Sequence, residues 1–192
     1  MKTKKTKKTL FMLIGISGSG KSTYLKNKFL NDFPELSMYL KEKDLDLSEL
    51  IVSGDDLRRE LTGDVNNHEK EKLIWTSLIP TKIKENLTEH KYAILDATNV
   101  SKRKDFLKKF KNVRKIGIVF KPDVELSWER ICEDMNNSVD RSNVPLEVIE
   151  TQYEKFKNSV IYFKWDGVWN KVIKKKIKER LRKEENLEIH FV

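Results

Sequence analysis

The chain has 192 residues, of which 38% are hydrophobic and 36% charged, with a net charge of +9 and a single cysteine. This length suits one domain with a substantial core, and no apolar run approaches the ~20 residues that span a bilayer. Cys132 alone excludes an internal disulfide framework, and the three histidines leave no zinc-site spacing. These features predict a cytoplasmic protein without membrane contact.

The basic excess sits at the two ends of the chain. Residues 1–8 are rich in lysine, residues 171–183 are rich in lysine and arginine, and the charges between 9 and 170 balance. Such ends either attract a polyanion in a salt-sensitive way or serve only to keep the protein soluble. We therefore predict a basic tail over 1–8, one domain over 9–173 and a basic helical extension over 174–192.

Strand-like apolar runs alternate with helical patterns along the chain. The predicted strands are 10–14, 50–52, 92–95, 115–120 and a last one near 167–173. The predicted helices are 21–30, 67–89 (interrupted at Pro80), 101–110 after Ser101 as N-cap, 124–135, one opened by Val144-Pro145, and a basic helix to about 184. Residues 35–49 lack clear periodicity and are predicted as an excursion. This alternation predicts an α/β fold with a mainly parallel sheet and helices on both faces.

A glycine-rich segment directly follows the first strand. It reads Gly15-Ile16-Ser17-Gly18-Ser19-Gly20-Lys21-Ser22-Thr23, the P-loop pattern between a buried strand and a helix. Glycines allow successive backbone N–H groups to surround phosphate oxygens, and the helix N-terminus favours the same anion. We expect Lys21 to reach the β- and γ-phosphates and Ser22 to ligate Mg²⁺, with ATP or another nucleoside triphosphate as the ligand.

Two acidic residues end the next two strands. Asp55 follows the second strand, where it could accept the proton of an attacking hydroxyl, and Arg58 lies one helical turn later on the same face. Asp96 ends the third strand, where it either supports Mg²⁺ or orients Arg58. Both aspartates would also fit as helix or strand caps.

A loop between two helices carries Asp140-Arg141-Ser142-Asn143-Val144-Pro145. Its position suits a small lid over about 135–144 that closes on the triphosphate. Arg141 would then neutralise the charge that develops between the β- and γ-phosphates. A solvated loop arginine is the ordinary alternative.

Four segments together resemble the 5′-hydroxyl polynucleotide kinases of phage type and their P-loop kinase relatives. They are GISGSGKST, VSGDDLRREL, ILDATNVSKRKDF and RSNVPLEVIETQYEKF. The resemblance implies a three-layer P-loop kinase fold, with Lys21 and Ser22 on the nucleotide and metal. It also implies Asp55 as general base, Arg58 on the acceptor side, Asp96 in support and Arg141 in the lid. A phage-encoded protein of this kind would work in the host cytoplasm.

The resemblance predicts transfer of the γ-phosphate of ATP to a 5′-hydroxyl end of DNA or RNA. Two departures concern the acceptor: a single basic lid residue, Arg141, and a long segment over 33–49. The alternative acceptors are a hydroxymethylated base within DNA, a nucleoside or a small alcohol. A third hypothesis is a nucleotide-gated interaction module that binds ATP without transferring phosphate.

Overall fold

The computed structural model describes residues 7–137, 142–161 and 169–192. Within these ranges, five parallel strands form one sheet in the order β2-β3-β1-β4-β5. The strands are β1 (Thr9–Ile14), β2 (Ile51–Ser53), β3 (Tyr92–Asp96), β4 (Arg114–Val119) and β5 (Glu188–Phe191). The predicted parallel α/β sheet is confirmed.

Strand β1 lies at the centre of the sheet and is buried along its whole length. It pairs with β3 on one side and β4 on the other, starting from Thr9 opposite Tyr92 and Arg114. Its side chains alternate between two apolar clusters, with Leu10, Met12 and Ile14 in one and Phe11 and Leu13 in the other. A strand buried on both faces needs this continuous apolar run, since neither face meets water.

Helices cover both faces of the sheet. Three helices pack on the Phe11 side: α1 (Lys21–Asn27), α2 (Phe29–Asp32) and α3 (Pro34–Lys43). The Leu10 side is covered by α6 (Ile79–Glu89), α7 (Arg103–Leu107), α8 (Val124–Asn136), α9 (Leu146–Phe156) and α10 (Lys171–Glu185). The short elements are a 3₁₀ turn (Leu47–Leu50), α4 (Gly54–Thr62), α5 (Glu71–Leu73) and two π-helical turns (Ile74–Leu78 and Lys157–Ile161). No described helix has the length and apolar character required to traverse a lipid bilayer.

The excursion predicted over 35–49 is wrong for its first part, which forms helix α3. Pro34 stands in the first turn, where a missing backbone N–H costs nothing. Leu36 and Leu40 are one turn apart and both are buried against the sheet. Met38 lies between them on the exposed face of the helix, so the apolar residues of this segment show no clear period in the sequence.

The helix predicted over 67–89 begins at Glu71, and its irregular turn lies before Pro80 rather than at it. It consists of α5, the π-helical turn Ile74–Leu78 and α6, with Pro80 in the first turn of α6. The predicted N-cap at Ser101 is wrong: α7 begins at Arg103, after Lys102 in a left-handed conformation (φ 56°). The lid predicted over about 135–144 falls partly on residues 138–141, outside the described residues.

The last strand predicted near 167–173 is also wrong where the chain is described, because Lys171 opens helix α10. The final strand is instead β5, which adds to the sheet edge beside β4. Asn186 takes the left-handed conformation that ends α10 (φ 54°) and turns the chain back towards the sheet. Residues 174–192, predicted as a helical extension, thus contribute an edge strand as well as a helix.

A buried ion pair fastens α10 to the rest of the domain. Arg103 donates from Nε and Nη2 to the two carboxylate oxygens of Glu185 at 2.9 and 2.8 Å. The side chains are only 1% and 4% exposed. Arg103 also donates to the Asn99 carbonyl at 3.0 Å and the Ser159 carbonyl at 2.6 Å.

We expect Glu185→Ala to lower the free energy of unfolding by about 3–5 kcal/mol, because it leaves the Arg103 guanidinium buried without its carboxylate. Glu188→Ala is the matched control, since Glu188 forms the same kind of bidentate ion pair with Arg114 on the exposed surface. That loss should stay below about 1 kcal/mol. Urea denaturation of both variants measures the difference, and equal losses would contradict the structural role assigned to the buried pair.

Candidate active site

The glycine-rich segment forms the tight loop between β1 and α1. Gly18 and Gly20 have φ angles of 74° and 86°, in the left-handed region that side chains with a Cβ rarely adopt. A Cβ at Gly18 would in addition overlap the Ser127 carbonyl of α8. The loop therefore needs glycine at position 18 for two reasons, backbone conformation and close packing against α8.

Lys21 and Ser22 begin α1, and the Lys21 side chain faces back into this loop. The Lys21 ammonium group is buried and donates to the carbonyls of Ile16 at 2.7 Å and Gly15 at 3.2 Å. Thr23 is exposed on the next position of the helix. The Ser19 hydroxyl oxygen is buried and has no hydrogen-bond partner among the described residues. An unpartnered hydroxyl and a buried ammonium group in a loop of backbone N–H donors fit a phosphate ligand.

Asp96, at the end of β3, lies against the P-loop helix. The Ser22 hydroxyl donates to Asp96 Oδ2 at 3.4 Å. Burial raises the pKa of Asp96, the Lys21 ammonium opposes the shift, and the Asp55 carboxylate adds to it. Hydroxyl and carboxylate oxygens are the ligands that Mg²⁺ prefers, usually with one or two carboxylates and the substrate phosphates completing the shell. Ser22 and Asp96 together fit such a site.

Asp55 and Arg58 lie where the second strand passes into α4. Ser53 caps the helix by accepting a hydrogen bond from the Asp56 N–H at 3.3 Å. Arg58 Nη1 contacts Asp55 Oδ1 in a close ion pair. The Arg58 side chain is 10% exposed and that of Asp55 is 52% exposed. The guanidinium is therefore fixed inside the protein, while a second molecule can reach the carboxylate.

Glu71 orients Arg58. From the sequence alone, Asp96 was one candidate for this role. Arg58 donates from Nε and Nη2 to the two Glu71 carboxylate oxygens at 2.8 and 3.2 Å. The Trp75 indole N–H donates to Glu71 Oε1 at 2.6 Å. Glu71 was not predicted from the sequence, although the four-residue spacing between Glu71 and Trp75 places both on one helical face.

Three further contacts reach the site from α8, α9 and the segment before α9. The Ser142 hydroxyl donates to Asp55 Oδ2 at 2.9 Å. The Ser17 N–H of the P-loop donates to Gln152 Oε1 at 2.7 Å. Arg130 Nη1 donates to the Gly18 carbonyl at 3.3 Å. Gln152 and Arg130 had not been predicted, while Arg141 lies outside the described residues.

The structure thus brings the predicted residues together in two adjacent groups. The first comprises the P-loop with Lys21, Ser22 and Asp96, and the second Asp55 with Arg58. Ser53 of β2 pairs with Asp96 of β3 in the sheet, which sets the groups side by side. Within the described ranges, no group of three or more His, Cys, Asp or Glu side chains converges as a metal-binding cluster.

Comparisons with known proteins identify the fold. The sequence profile of the AAA domain family (AAA_33) matches residues 10–159. No curated protein matches the chain in sequence. A chain of the Pnkp1/Rnl/Hen1 RNA repair complex is similar in structure, with 20% identity and a TM-score of 0.63 over 85% of this chain. The match covers 48% of that chain, so this protein spans about half of its length.

Two kinases are also similar at lower scores. A gluconokinase from Sinorhizobium meliloti 1021 has 14% identity and a TM-score of 0.39, over 77% of this chain and 74% of its own. A shikimate kinase from Acinetobacter baumannii in complex with shikimate has 14% identity and a TM-score of 0.43, over 91% of each chain. The parallel sheet, the P-loop and the match at a TM-score of 0.63 together define an α/β fold with a P-loop.

We expect Glu71→Gln to lower stability at neutral pH by about 1–2 kcal/mol, because it weakens the charged hydrogen bonds that hold Arg58. Burial alone would raise the pKa of Glu71, but its bonds from Arg58 and Trp75 lower it below the ordinary value of 4.5. A carboxylate with a lowered pKa stabilises the fold above its unfolded-state pKa, and that contribution is lost as the pH falls through the folded-state pKa.

Urea denaturation at several pH values measures the effect. The difference between wild type and Glu71→Gln should be full above about pH 5 and shrink as the pH falls below about 4.5. A difference that is the same at pH 7 and pH 3 would show that the charge of Glu71 does not stabilise this cluster.

Proposed function

The chain belongs to the AAA domain family, and we propose that it is an ATP-dependent kinase that transfers the γ-phosphate to a 5′-hydroxyl end of DNA or RNA. The observation that carries the proposal is the half-exposed Asp55 carboxylate. One of its oxygens is held by the buried Arg58, and the other is in contact with a hydroxyl group. This is the arrangement that a general base for an alcohol acceptor requires.

The nucleotide half of the proposal rests on the P-loop. Lys21, its neighbouring N–H groups and the Ser19 hydroxyl would hold the β- and γ-phosphates of ATP. Ser22 and Asp96 would hold a Mg²⁺ ion, which supplies charge neutralisation for the phosphates when it is bound. Arg141, from the segment before α9, would add positive charge beside the transferred group.

The acceptor half rests on α4. Asp55 would align the attacking hydroxyl and take its proton, while Arg58 keeps the carboxylate in one orientation. Glu71 in turn holds Arg58 and is itself bound by the Trp75 indole, so the base is fixed before substrate arrives. Such positioning accounts for much of the catalysis in phosphoryl transfer, where the protein forms few covalent bonds.

A nucleic-acid acceptor is supported by the four-segment resemblance to polynucleotide kinases and by the basic ends of the chain. The similar chain from an RNA repair complex agrees with it. Helix α10 exposes several cationic side chains, among them Lys175, Lys178 and Lys183. A polyanion would meet favourable charge there.

We expect Lys21→Ala to abolish transfer to a 5′-hydroxyl oligonucleotide, because it removes the cationic group of the phosphate cradle. Asp55→Asn should retain ATP binding and lower kcat by about 10²–10⁴, the range for loss of a general base. The measurement is transfer of labelled γ-phosphate to single-stranded DNA and RNA oligonucleotides, alongside nucleotide binding by calorimetry.

Asp56→Asn is the matched control, because Asp56 is the next residue of α4 and pairs with Arg59 on the exposed surface. Its activity should equal that of wild type. Normal transfer by Asp55→Asn would remove Asp55 from the role of base. ATP binding without labelling of any oligonucleotide would instead favour another acceptor, and duplex DNA with hydroxymethylated bases is the next substrate to test.

The basic tail allows a separate prediction about the substrate. Deleting residues 1–8 should reduce the salt dependence of oligonucleotide binding, because fewer counterions are released when fewer lysines meet phosphates. Titrations by fluorescence anisotropy at several salt concentrations give the slope. An unchanged slope would assign the tail to solubility.

A further inference from the structure

Ser142 contacts the proposed base as a substrate hydroxyl would. Its Oγ lies 2.9 Å from Asp55 Oδ2, within the range for an O–H donor to a carboxylate. The other carboxylate oxygen is engaged by Arg58. The hydroxyl therefore occupies the side of Asp55 that remains open to an acceptor.

The position of Ser142 is defined by its neighbours. The N–H of the next residue, Asn143, donates to Asn66 Oδ1 at 2.7 Å. Asp55 is fixed from the opposite side through Arg58, which Glu71 holds with two hydrogen bonds. Both the hydroxyl and the base are thus anchored by separate parts of the chain.

The phosphate-binding side of the site lies next to this pair. Ser53 pairs with Asp96 across β2 and β3, and Asp55 follows Ser53 by two residues. Asp96 in turn accepts a hydrogen bond from Ser22 of the P-loop helix. Asp55 and Ser22 therefore flank the same carboxylate, one on the acceptor side and the other on the nucleotide side.

We propose that Ser142 is an internal phosphate acceptor, so that the protein phosphorylates itself at this residue when no other acceptor is bound. The inference rests on the proposed kinase function. In the reaction, Ser142 Oγ forms a bond to the γ-phosphorus of ATP, and the bond from that phosphorus to the β–γ bridging oxygen breaks. The Oγ proton passes to Asp55, and ADP leaves with the bond's electron pair.

Phosphorylation would limit the enzyme's own activity. A phosphoserine carries about −1.5 to −2 charges at neutral pH. Placed beside Asp55, it would repel the carboxylate and occupy the acceptor side of the base. Chains phosphorylated at Ser142 should therefore transfer phosphate to an added acceptor more slowly than unmodified chains do.

The test incubates the full chain with γ-labelled ATP and Mg²⁺, with and without a 5′-hydroxyl oligonucleotide. Without the oligonucleotide, we expect label on the protein up to one phosphate per chain, mapped to Ser142 by peptide mass spectrometry. The first-order rate of labelling should be independent of protein concentration, since the ATP is bound to the same protein molecule that carries the accepting serine. Added oligonucleotide should compete and lower the labelling of the protein.

Four variants make the result specific. Ser142→Ala should lose protein labelling and keep transfer to the oligonucleotide, which shows that it is folded. Ser142→Thr should retain labelling, because it keeps the hydroxyl. Ser77→Ala, at an exposed serine of the first π-helical turn, should behave as wild type. Asp55→Asn should lose both activities.

The outcomes separate this inference from the proposed function. A labelled oligonucleotide with no label on the protein, or label mapped to another residue, would overturn the inference and leave the kinase function standing. A labelling rate that rises with protein concentration would replace the internal reaction with one between chains and would also overturn it. No labelling of protein or of oligonucleotide would overturn the inference together with the proposed polynucleotide kinase function.

Discussion

The position of the P-loop depends on how the end of strand β1 is held. The Gly15 N–H donates to the Thr98 carbonyl, and the Asn99 side chain donates to the Leu13 carbonyl. The segment after β3 is therefore hydrogen-bonded to the end of β1, where the P-loop begins. Asn99 adopts a left-handed conformation to make this contact (φ 50°). Its own carbonyl is bound by Arg103. The nucleotide-binding loop is therefore supported by a chain of hydrogen bonds that ends at Glu185 in α10.

Among the described residues, two buried arginines organise the domain, and they differ in whether a partner side chain is accessible. Arg103 and Glu185 are both inaccessible, so their pair joins elements of the fold and has no route to a ligand. Arg58 is buried to a similar extent, but one of its partners, Asp55, is half exposed. A guanidinium offers five donors in a rigid plane, and Arg58 uses three nitrogen atoms to join the exposed Asp55 carboxylate to Glu71.

Features encoded by neighbouring residues could be predicted from the sequence, and features that depend on distant contacts could not. The P-loop and the first four strands follow from short patterns, because a buried parallel strand is apolar throughout. Strand β5 reads Glu-Ile-His-Phe at a partly exposed edge and carries no such run. The roles of Glu71 and Gln152 were not predictable because their partners lie 13 and 135 residues away, and only the tertiary fold brings them together.

The π-helical turn Ile74–Leu78 has a consequence for the evolution of this site. It separates Glu71, at the start of the helical segment, from α6, whose apolar face is fixed against the sheet. A π turn amounts to one residue inserted into an α-helix, and each helical residue turns the chain by about 100°. Removing one residue here would restore a regular helix and rotate Glu71 and Trp75 away from Arg58. An insertion of a single codon is therefore sufficient to account for the helical phase that brings Glu71 to Arg58 and Trp75 to Glu71.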